Sequence, residues 1–92
     1  MNEMECFLAE QIKTLVPEYE SVELKVKVNS TSYSVVFYAT VDGERMQCFD
    51  MIDEGLFEEK DFDKVAKDIA DYFRSLPDFN KEGLNKYIVN LL

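Results

Sequence analysis

Six carboxylates crowd into twelve consecutive positions: Asp50, Asp53, Glu54, Glu58, Glu59 and Asp61, with Lys60 as the one cation among them. Clustered carboxylates can exchange protons as general acid and base, ligate a hard cation, or meet the cations of another molecule. Acid–base work needs a concave site that raises one carboxyl pKa, and a solvated acidic segment is the commoner outcome. Calcium can be checked by spacing. Gly55 stands sixth in the span Asp50 to Asp61, where an EF-hand loop places its glycine. Ile52, however, occupies the third position, which must offer an oxygen, and Asp61 stands where a bidentate glutamate belongs. No metal is expected. Pairing with another molecule's cations is left, and Leu56 and Phe57 inside the run would add desolvated anchors. The candidate partner-binding residues are therefore Asp50, Asp53, Glu54, Leu56, Phe57, Glu58, Glu59 and Asp61.

Other chemistry has little to work with. The chain has no histidine, which removes most zinc sites and the usual base for a serine or cysteine nucleophile. Cys6 and Cys48 form no CxxC pair and have no activating partner in view, so both read as packing residues. Three separated glycines make no phosphate-binding loop. The expectation is a protein that is not an enzyme, with no catalytic residues and no cofactor.

The elements that must position the acidic run follow from periodicity. Residues 2–16 read as an amphipathic helix with Met4, Leu8, Ile12 and Leu15 as its stripe, stopped by Pro17. Residues 21–29 alternate: Val22, Leu24, Val26 and Val28 point one way, Glu23, Lys25 and Lys27 the other. After the polar turn 29–32, residues 33–41 are strand-forming on both faces, as in a central strand. Asp42-Gly43 suits the two positive-φ positions of a type I′ hairpin, predicting a third strand over 44–51. The acidic run is expected as a loop, or as a loop that ends in the next helix's first turn. Residues 62–76 carry a second helical stripe from Phe62 through Ile69 to Leu76, with Asp61 as its N-cap. Leu84, Tyr87, Ile88 and Leu91 predict a third helix over 81–92. The expected fold class is α+β over a single domain, 1–92: an N-terminal helix, an antiparallel meander of three strands or four, and two C-terminal helices on one sheet face.

Charge bounds the partners. Nineteen acidic residues against ten basic ones give −9 at pH 7, a field that repels nucleic acid and anionic membranes and attracts basic proteins. No basic leader and no long apolar run is present, so a reducing cytoplasm is expected, with both cysteines free.

A resemblance adds to this. Leu15-Val16-Pro17-Glu18, the strand of Glu20 to Val28, Val36-Phe37-Tyr38, Phe49-Asp50-Met51-Ile52 and the helix opened by Phe62-Asp63-Lys64 and running to Phe73 together resemble the YezG-like antitoxin and immunity proteins of bacterial polymorphic, contact-dependent inhibition toxin systems. It covers roughly residues 8–75, although the Asp42-Gly43 connection is tighter than that family's loops. The resemblance implies a small α+β inhibitor that neutralises the C-terminal domain of a toxin, most simply a basic nuclease, by stoichiometric binding, here through the acidic loop. Two other readings stay open: a nucleic-acid mimic of the anti-restriction or anti-CRISPR kind, and a small acidic adaptor domain. Oligomeric state is left open.

Overall fold

The computed structural model describes residues 2–92. In chain order they form α1 (Glu3–Lys13), β1 (Ser21–Val28), β2 (Tyr33–Val41), β3 (Glu44–Gln47), α2 (Cys48–Asp53), α3 (Glu59–Arg74) and β4 (Asn85–Leu91). The architecture is α+β, with one four-stranded antiparallel sheet in the order β3-β2-β1-β4.

Alternation decides which face of the sheet is covered. Val22, Leu24, Val26 and Val28 of β1 and Val35, Phe37 and Ala39 of β2 are buried. The helices lie on that face, with Leu8 and Ile12 of α1, Met51 of α2 and Phe62, Ile69 and Phe73 of α3 closing the core. Burial on this scale is the main favourable term in folding. Among the described residues the other face contributes no fully buried side chain. Its Tyr38 is instead half-covered by cations, with the Arg45 guanidinium 4.5 Å and the Lys25 ammonium 5.6 Å from the ring centroid. That explains the apolar residues on both faces of β2, a central strand as expected.

The expected hairpin forms: Asp42 and Gly43 have φ of 51° and 77°. Glu20 Oε1 accepts from the Gly43 N–H at 2.8 Å and ties the turn to the start of β1. The turn after β1 closes on Asn29, whose Oδ1 accepts from the Thr31 and Ser32 N–H groups at 2.9 and 2.7 Å. Arg74 of α3 clamps the same turn, donating to the carbonyls of Asn29 and Ser32 at 3.0 and 3.1 Å.

Three expectations are corrected. The helix expected over 81–92 is β4, paired along its length with β1. Its apolar residues fit both periods, since Leu84, Tyr87, Ile88 and Leu91 are helically spaced while Tyr87, Val89 and Leu91 alternate. Burial follows the alternation, with Leu91 1% and Ile88 67% exposed. The free edge of β1 settles the choice, because a strand there completes the backbone ladder. Asn85 fixes the entry, donating to the Val28 and Asn80 carbonyls and accepting from the Asn80 N–H. The third strand ends at Gln47 rather than 51, where the chain turns into α2. The last helix begins at Glu59, and its N-cap is Glu58, not Asp61.

Candidate functional site

The acidic run is a loop only in its middle, over residues 54–58; it begins on α2 and ends, as one expectation had it, in the first turn of α3. Asp50 and Asp53 ride on α2, Glu54 caps it, and Glu58, Glu59 and Asp61 form the cap and first turn of α3. All six carboxylates are exposed. Those at the start of α3 lie where the helix dipole favours negative charge. Lys60 is engaged by Glu58 at 3.2 Å.

Gly55 has a structural role. Its φ is 79°, its N–H donates to the Ile52 carbonyl at 2.9 Å, and the Leu56 N–H donates to the Met51 carbonyl at 3.0 Å. These two bonds make a Schellman motif with glycine at the left-handed position. The glycine thus ends α2 rather than turning a calcium loop. Among the described residues no three Asp, Glu, Cys or His side chains group to hold a metal ion.

The two apolar residues of the run part company. Leu56 is 56% exposed. Phe57 turns inward, its ring centroid 6.1 Å from Phe37 and 6.4 Å from Phe62. It sits immediately before the N-cap and meets the fourth residue of α3, the arrangement of a hydrophobic staple. Phe57 therefore packs on the core instead of standing free as an anchor.

The rest of the run borders two hollows. One, of about 780 Å³, lies along β3, where Asp50, Asp53 and Glu54 face Lys25 and Arg45. The other, of about 560 Å³, is bounded by the segment after α1, the β2–β3 hairpin and α2. Leu15, Val16, Val41, Met46, Met51 and Leu56 give it apolar walls, and Glu18, Asp42, Glu44 and Glu54 ring it. No lysine or arginine is among its lining residues. An apolar hollow ringed by carboxylates alone suits a partner segment carrying both apolar and basic side chains. In the first hollow the charge is mixed, because Lys25 and Arg45, which pair with Glu23 at 3.8 and 3.1 Å, stand among the carboxylates. Asp61 stands apart from both, between α1 and α3 near Lys64 and Asp68.

Of the expected residues, Glu54 and Leu56 thus meet at one groove, Asp50 and Asp53 flank it on the β3 side, and Asp61 and Phe57 lie elsewhere. Glu18, Asp42 and Glu44 are rim residues the sequence did not single out. They are scattered in the chain, and only the hairpin and the turn after Pro17 bring them round one hollow.

None of the perturbed groups is among the lining residues of this groove. Burial pushes the Cys48 thiol up, so this fully enclosed residue is held as an unreactive thiol. Burial likewise raises Tyr19 and Tyr87. On α3 the hydrogen bond from Lys67 lowers the carboxyl of Asp71, and the same bond raises Lys67. No protein-family model matches the chain, and no curated protein matches it either.

Proposed function

We propose that this chain is an immunity protein, an antitoxin of the YezG-like kind, that neutralises a basic toxin domain in the cytoplasm by stoichiometric binding. A nuclease is the simplest toxin, because its substrate groove is already lined with cations that carboxylates can engage. The observation that carries the reading is the groove of Leu15, Met46, Met51 and Leu56, ringed by Glu18, Asp42, Glu44 and Glu54 with no cation in its lining. Its apolar walls supply the desolvated centre of an interface and its rim the charge that steers a basic partner. Exposed Leu56 is the anchor and Glu54 its neighbouring charge, with Asp50 and Asp53 extending the field along α2. The concentration of acid here, with Lys25, Lys27, Arg45 and Lys86 on the open sheet face, favours local docking over mimicry of a long phosphate backbone.

Sequencing the gene beside the chain's own, and co-expressing in bacteria the C-terminal domain of the toxin expected there, tests the reading. The chain should restore growth, and a variant carrying Leu56→Asp and Glu54→Lys should fail while staying folded by circular dichroism. Growth arrest that the intact chain does not relieve overturns it.

A further inference from the structure

The two edges of the sheet are unlike. β3 is four residues long, carries Glu44 and Arg45, and runs directly into α2. Shortness, charge and an adjoining helix are the devices by which natural sheets blunt an edge. β4 has none of them except Lys86. It is seven residues long without proline, and its outer row of backbone groups has no backbone partner among the described residues. Ile88 stands outward at its middle, 67% exposed, with exposed Leu84 and Leu92 just beyond its two ends. Such an edge is a template for one more strand.

Charge selects the occupant. On the open face Lys86 lies directly across from Lys27, and Ile88 across from Lys25. Among the described residues neither Lys27 nor Lys86 has a carboxylate within ion-pair distance, while Lys25 reaches Glu23 at 3.8 Å. Like charges directly opposite one another destabilise a sheet. The chain has nineteen acidic residues and sets none beside this pair.

We propose that the β4 edge binds an extended segment of a partner protein as a fifth strand, with an acidic residue opposite Lys86 and an apolar residue opposite Ile88. The backbone ladder supplies affinity, and the two outward side chains, spaced by the strand period of two, supply selectivity. The carboxylate also relieves the Lys27–Lys86 repulsion. A second copy of this chain fits less well. Symmetric antiparallel pairing about Ile88 would set Lys86 against Asn90, leave that repulsion in place and join two bodies of charge −9. Nucleic acid cannot complete a peptide ladder. This site does not rest on the toxin reading: no β4 residue lines the acid-rimmed groove, and β4 is the opposite edge of the sheet from β3, three strand spacings or about 14 Å away.

Two fluorescein-labelled peptides of about eight residues, alternating valine and threonine around a central isoleucine, provide the probe. One carries glutamate two positions from the isoleucine, the other lysine. By fluorescence anisotropy the glutamate peptide should bind the intact chain about fivefold to tenfold more tightly than the lysine peptide. Lys86→Glu should invert that preference, and Ile88→Asp should weaken both. Equal binding of the two peptides, no binding of either at about 1 mM, or a preference that Lys86→Glu leaves unchanged overturns the proposal. So does a dimer in sedimentation that Ile88→Asp dissolves, which would assign the edge to a second copy.

Discussion

Phe57 and Leu56 are neighbours of similar hydrophobicity, and the structure predicts opposite consequences for removing them. The Phe57 ring lies 6.1 Å from the fully buried Phe37 and 6.4 Å from Phe62, and it staples the start of α3. Complete burial would make Phe→Ala cost about 3–5 kcal/mol. Phe57 is only partly buried, so about half of that applies, roughly 2 kcal/mol including its share of aromatic contact. For a domain of this size that corresponds to a fall in Tm of about 8–16 °C. Leu56 is 56% exposed, and its truncation should move Tm by no more than about 2–4 °C. Thermal unfolding followed by circular dichroism on Phe57→Ala, Leu56→Ala and the parent measures both. Equal Tm values for the two variants would refute the assignment of Phe57 to the core and of Leu56 to the groove.

Gly55→Ala should cost about 1 kcal/mol by chemical denaturation, because the left-handed backbone is strained for any Cβ although the space around it is open. Arg74→Ala should destabilise by about 1–2 kcal/mol and speed amide exchange in residues 29–32; Arg74→Lys should not restore it, since one ammonium cannot reproduce the guanidinium fork. A thiol reagent at pH 8 should label exposed Cys6 at once and Cys48 only on unfolding. The same burial makes stability fall in alkali. Cys48 is raised above 9.0 and Tyr19 and Tyr87 above 10.0, so between the ordinary and raised values the native state holds more protons than the unfolded one and ΔG of unfolding drops as pH rises. Tm measured from pH 8 to 11 should decline beyond pH 9, and Cys48→Ala should remove the earliest part of the decline.

Legibility in the sequence varied with how local the deciding signal was. The alternation of Val22 to Val28 and the Asp42-Gly43 turn are complete within a few residues, and β1 and the hairpin stand where those signals put them. The stripe from Phe62 to Phe73 locates α3, but its true start was hidden because Phe57 looked like a free anchor instead of the staple of Phe62. α2 is six residues long, too short for a helical period to emerge, and its one clear mark is Gly55 at the C-terminus, a position that also matches the glycine of a calcium loop whose other requirements the run does not meet. β4 was missed for a different reason. Its residues satisfy two periods, and the choice between them is made by the vacant edge of β1, a tertiary fact. The site divided the same way: the acids of α2 and Leu56 were visible as a run, whereas Glu18, Asp42 and Glu44 join them only once the chain folds.

The proposed occupant of the acid-rimmed groove is a basic protein. Titration calorimetry of the chain against a basic toxin domain from which it protects cells on co-expression, at about 50 and 500 mM salt, tests that most directly. One-to-one binding is expected, with an affinity that falls steeply with salt and a loss of at least about tenfold on Asp53→Lys with Glu54→Lys. Absence of binding, or an affinity that neither salt nor these substitutions change, would contradict it.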